Sequence, residues 1–87
     1  MADRTKYIVF ERARLKEIVI FSERFNHNDM AQNIGLTPLS AGFISFQCDG
    51  KAYAWGESVS LNLKSNLEED SILANQMLRI QQDENGL

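Results

Sequence analysis

The sequence predicts an α+β domain, an antiparallel β-sheet with two helices packed on one face, in the order ββαββα. Three observations lead there. Runs of β-branched and aromatic residues come in pairs, and each pair is followed by a stretch with helix-start signals. The second pair is divided by Asp49-Gly50, the dipeptide most suited to a tight hairpin. Hairpins that hand over to amphipathic helices pack as layers, helix against sheet.

The first pair is Tyr7-Ile8-Val9-Phe10 and Ile18-Val19-Ile20-Phe21. Between them Glu11 to Lys16 holds no Gly, Pro or Asn, so an open loop is expected there. The unbroken apolar character of the second strand predicts a position inside the sheet. Asn26 then reads as an N-cap, with Asp29 at the third helical position and Phe25 and Met30 placed as a hydrophobic staple. Gly35 stands where a left-handed C-cap belongs, and Pro38 bars continuation.

Phe43–Gln47 and Lys51–Trp55 flank the Asp49-Gly50 turn. A two-residue turn sets Phe46 opposite Tyr53 and Ile44 opposite Trp55, which puts all four on one face and in the core, beneath the C-terminal helix. Phe43, Ser45, Gln47, Ala52 and Ala54 fall on the other face. Gly56 suggests a bulge or bend, after which Val59, Leu61 and Leu63 resume the alternation as a strand extension or a separate short strand. Ser65 to Glu68 reads as a capping box. Beyond it Leu67, Leu73, Ala74, Met77, Leu78 and Ile80 form an apolar stripe, with Ile72 outside it on the polar side.

Composition narrows the function classes. A chain of 87 residues is a single domain, 1–87, with loose ends expected at 1–5 and 82–87. Its 44% hydrophobic and 24% charged residues suit a folded domain. One Cys allows no internal disulfide, no apolar run is long enough to span a bilayer, and the polar start predicts no leader. A cytoplasmic setting is expected. Residues 1–24 carry six positive and four negative groups, and 25–87 carry three and eight. Arg12, Arg14 and Lys16 are the one basic cluster, too small to hold nucleic acid firmly, and a solvated hairpin tip is the simpler reading.

No catalytic constellation, metal-ligand spacing or cofactor motif is present. His27, the single histidine, sits at a helix start beside Asn28 and Asp29; local hydrogen bonding accounts for it more simply than proton transfer. Cys48 reads as a small half-buried residue. Gly56 to Ser60 is the densest cluster of small polar groups. With His27, its Glu57, Ser58 and Ser60 are the candidate ligand-binding residues for an anion or small nucleotide. Phe43 and Ile72, apolar residues outside the expected core, are the candidate interaction surface, and with a free strand edge they point to a homodimer.

Four segments carry a resemblance: Lys6–Glu11, Phe25–Ala31, Ser40–Phe43 and Gly56–Leu61. In these the chain resembles a group of small bacteriophage and prophage proteins with no assigned activity. The resemblance implies a phage-derived gene expressed in a bacterial cytoplasm, and it brings no catalytic residues. The expected function is that of a non-enzymatic phage or prophage accessory protein, acting by protein–protein contact on a host factor. The alternative is a small-ligand or nucleotide-binding protein that uses Gly56–Ser60.

Overall fold

The computed structural model describes residues 4–85. Strands β1 (Thr5–Arg12), β2 (Leu15–Ser22), β3 (Thr37–Phe46) and β4 (Ala52–Trp55) form one antiparallel sheet in the order β2-β1-β3-β4. Helix α1 (His27–Ile34) lies between β2 and β3 in sequence. A two-stranded ribbon, β5 (Glu57–Ser58) and β6 (Leu63–Lys64), precedes helix α2 (Leu67–Asn85). The α+β class is as expected, but the ribbon adds two strands to the expected order. Met1 to Asp3, and Gly86 and Leu87, lie outside the described residues. Of the ends expected to be loose, Thr5 begins β1 and residues 82–85 belong to α2. None of the described helices is long and apolar enough to cross a membrane.

The helices cover opposite faces of the sheet, not one. Tyr7, Val9, Ile18, Ile44, Ala52 and Ala54 pack with Ala74, Leu73, Met77 and Leu78 of α2. Ile8, Phe10, Phe21 and Ala41 pack with Met30, Ala31 and Ile34 of α1, and with Leu61 and Leu63 of the ribbon segment. Side chains alternate along a strand, so a strand covered on both faces is apolar throughout. That strand is β1, whose Tyr7, Ile8, Val9 and Phe10 are all buried. The central position expected for β2 belongs to β1, and β2 is an edge.

Several local signals work as read. The Asn26 side chain accepts from the Asn28 N–H at 2.7 Å, and Gly35 closes α1 at φ +75° with its N–H on the Ala31 carbonyl. Phe25, expected to staple Met30, is exposed instead. The α2 cap shifts by one residue. The Asn66 side chain accepts from the Glu69 N–H, and the Asp70 carboxylate reaches back to the Asn66 N–H at 2.9 Å. Ser65, freed from the expected box, donates to the Ala41 carbonyl. Within the expected apolar stripe Leu67 is exposed, while Ile72 is exposed as read; the Ile80 side chain lies outside the described residues.

The β1–β2 connection is a two-residue turn, Ala13-Arg14, with both residues at positive φ (50° and 68°). This is the primed turn that matches strand twist, built here from residues that do not favour it, so an open loop was the expectation. The β3–β4 connection departs the other way. Gln47 and Lys51 pair across a three-residue loop, Cys48-Asp49-Gly50, and Gly50 takes φ +84°. The loop is one residue longer than the Asp-Gly signal implies, so the register slips by one and every side chain of β4 changes face. Phe43 now pairs with Trp55, Ile44 with Ala54, Ser45 with Tyr53 and Phe46 with Ala52. Ala52 and Ala54 enter the core under α2, and Tyr53 (44% exposed), Trp55 (38%) and Phe46 (52%) face water. Cys48, in the loop, is exposed.

The slip has a packing reason. Alanines at 52 and 54 opposite Ala74 let α2 approach β4 closely, which Tyr53 and Trp55 would prevent. At that distance Asn75 Oδ1 accepts the Ala52 N–H at 2.8 Å, and its Nδ2 donates to the Ala52 carbonyl at 2.9 Å. Ser71 Oγ accepts the Ala54 N–H at 2.8 Å. Three outward backbone groups of β4, the N–H and carbonyl of Ala52 and the N–H of Ala54, are thereby satisfied by helix side chains. Where α2 begins, the buried Tyr7 hydroxyl donates to buried Asp70 Oδ2 at 2.5 Å and ties the helix to the central strand.

Candidate functional site

On the α1 side of the sheet, α1 and the β5–β6 ribbon leave the β3–β4 corner open, and the register slip fills that corner with aromatic side chains. Phe43 and Trp55 stack with centroids 5.0 Å apart and planes 28° apart. Trp55 Nε1 donates to Ser45 Oγ at 2.7 Å, which fixes the indole on the sheet. The Arg4 guanidinium lies 4.8 Å over the Phe43 ring, within cation–π range. Tyr53 stands beside Ser45 at the outer end of this surface.

A shallow groove of about 600 Å³ adjoins the aromatic corner, lined among others by Lys6, His27, Phe43, Glu57, Val59 and Ser60. Its walls come from β1, the start of α1, β3 and the ribbon. His27 is the first residue of α1, and its side chain is turned into the sheet face. Its Nε2 donates to the Gly42 carbonyl at 2.9 Å, and the ring makes edge contacts with Phe21 and Phe43 at 5.6 and 5.8 Å. A carbonyl can only accept, so the neutral ring carries its proton on Nε2 and its lone pair on Nδ1. Burial lowers the His27 pKa below 6.5 and outweighs the opposing Gly42 hydrogen bond; the nearby Lys6 charge lowers it further. Gly42 is required where it is: a Cβ there would run into Ser65 Oγ and the Trp55 carbonyl.

Of the ligand-binding candidates read from the sequence, His27, Glu57 and Ser60 line this one groove. Ser58 does not join them. It is buried, and its Oγ accepts from the Leu61 N–H at 3.2 Å to hold the ribbon turn. The expected interaction surface divides as well. Phe43 is half-buried in the aromatic corner, whereas Ile72 lies exposed on α2, across the sheet, beside a cavity rimmed by Asp49, Lys51 and Arg79. The basic cluster at the β1–β2 tip is largely paired: Arg12 meets Glu17 at 3.4 Å, and Lys16 meets Glu69 at 2.8 Å. Among the described residues no group of three or more His, Cys, Asp or Glu side chains could hold a metal ion.

Sequence reasoning missed Tyr53 and Trp55 as surface residues because it placed them in the core. The signal that could have exposed them was the alanine pattern: Ala52 and Ala54 suit a face closed by a helix. Compared with protein-family models, curated proteins and solved structures, the chain matches none.

Proposed function

We propose that this chain is a non-enzymatic binding protein that docks a protein partner on the corner formed by Phe43, Tyr53 and Trp55. The observation that supports the reading is the outward placement of Tyr53 and Trp55 over a half-buried Phe43, with Arg4 at the edge. Trp, Tyr and Arg dominate the energetics of protein interfaces, and a stacked, hydrogen-bonded indole loses little freedom on binding. Val59, 86% exposed at the ribbon tip, adds apolar surface on the groove's wall. Ile72, on the other side of the sheet, is not part of this surface. A phage or prophage accessory role, exerted on a host factor in a bacterial cytoplasm, rests on the sequence resemblance alone.

Tyr53→Ala and Trp55→Ala remove exposed side chains and leave the core intact. Against a partner captured from bacterial lysate by the tagged protein, the pair of substitutions should weaken binding by about thirtyfold or more, the effect of losing one strong anchor. Ile72→Asp should leave that binding unchanged. Equal capture by the wild-type chain and the Tyr53/Trp55 variant contradicts the proposal.

A second reading is favoured by the groove itself, which gathers His27, Glu57 and Ser60. It makes the chain a small-ligand binder, for an anion or nucleotide. A ligand at one hundred times its Kd stabilises by about 2.7 kcal/mol, so a thermal-shift panel of nucleotides and anions reads it directly. His27→Ala should abolish any shift found.

A further inference from the structure

The two edges of the sheet are finished differently. On β4 the outward N–H and carbonyl of Ala52 and the outward N–H of Ala54 are held by Asn75 and Ser71. On β2 the pairing with β1, closed by Arg12 and Leu15 across the two-residue turn, points the backbone groups of Lys16, Ile18, Ile20 and Ser22 away from the sheet. The Ser22 carbonyl accepts the Phe25 N–H at 3.1 Å. The outward groups of Lys16, Ile18 and Ile20 have no partner among the described residues. From Ile18 to Phe21 the strand carries no charge, proline or bulge, the devices that normally protect an edge.

We propose that β2 pairs with β2 of a second copy of this chain, antiparallel about a two-fold axis at Ile18, to make one continuous sheet. The register follows from the free groups. They run 16, 18, 20, and are therefore symmetric about Ile18, with Ser22 excluded by its bond to Phe25. In this register Ile18 faces Ile18 of the second copy, and Lys16 faces Ile20. Glu17 faces Val19, and Leu15, 70% exposed in the single chain, faces Phe21. No like charges stand opposite. Moving the axis to Glu17 sets two carboxylates against each other, and moving it to Ile20 sets Lys16 opposite residue 24, which lies in the turn after β2 and offers no strand to pair with. The pairing uses main-chain hydrogen bonds and few side chains, so the interface is small and the dimer is weak and concentration-dependent. The surface is separate from the aromatic corner, and neither proposal depends on the other.

The test combines sedimentation equilibrium of the wild-type chain, from about 10 µM to 1 mM, with amide hydrogen exchange at both ends of that range. The expected result is a rise in mass from monomer to dimer, with slowed exchange at the Ile18 and Ile20 amides as the dimer forms. Lys16→Pro removes an outward N–H and should weaken the dimer by about tenfold or more. Should that variant fail to fold, the wild-type exchange data decide alone. A chain that stays monomeric throughout overturns the proposal. So does a dimer whose Ile18 and Ile20 amides exchange as fast as in the monomer.

Discussion

Replacing Tyr7 with phenylalanine takes a single oxygen from a contact sealed from water. Tyr7 is 0% and Asp70 2% exposed, and the 2.5 Å bond between them is in the range of a hydroxyl donating to a carboxylate. Without the hydroxyl, Asp70 Oδ2 keeps only the Asn66 N–H of the two donors described. A hydrogen bond to a charged group contributes roughly 1.5–3 kcal/mol, and a buried carboxylate short of a partner keeps its desolvation cost. A loss of about 2–3 kcal/mol is therefore expected, against a total of roughly 4–13 kcal/mol for a domain of this size. The corresponding fall in Tm is roughly 8–24 °C. Urea denaturation, with m unchanged, measures it. A second arm uses pH. Burial, then the hydrogen bond to Asp70, push the Tyr7 phenol well above its ordinary 10.0. The folded state thus holds this proton more tightly than the unfolded chain. Its contribution is complete below pH 10 and is lost as pH rises through the higher folded value. Tyr7→Phe should remove that alkaline slope. A variant within about 0.5 kcal/mol of wild type, with the slope intact, would refute the reasoning that this bond anchors α2.

His27 carries the opposite pH signature. Its pKa is lowered by burial, so its contribution is present above pH 6.5 and lost as pH falls through the lower folded value. His27→Gln, which keeps a donor for the Gly42 carbonyl, should flatten the acid limb of a stability–pH profile. Asn75→Ala uncovers the Ala52 N–H and carbonyl; a loss of about 1–3 kcal/mol in urea and faster aggregation in light scattering are expected. Ala13→Asn with Arg14→Gly supplies the residues a primed turn favours and should raise stability by about 1 kcal/mol or more in the same assay.

What the sequence determined by itself is what short-range chemistry controls. Asn26 and Gly35 bound α1 because a side-chain acceptor and a residue free of Cβ strain act within one turn of chain. The paired apolar runs specify strands, and the amphipathic stretch after Asn66 specifies a helix, since each pattern repeats at the period of its own element. The tertiary structure decided register, face and edge. Asp49-Gly50 fits a loop of two residues or of three, and the choice fell to the longer one because Ala52 and Ala54, unlike Tyr53 and Trp55, admit α2 close enough for Asn75 and Ser71 to seal β4. The same long-range packing placed β1 at the centre and β2 at the edge, sent the helices to opposite faces, and gathered His27, Glu57 and Ser60 while turning Ser58 inward. A one-residue slip costs almost nothing locally, yet it exchanges core for surface along a whole strand. The aromatic corner is thus a product of helix-to-sheet packing, marked in the sequence only by the alanines at 52 and 54.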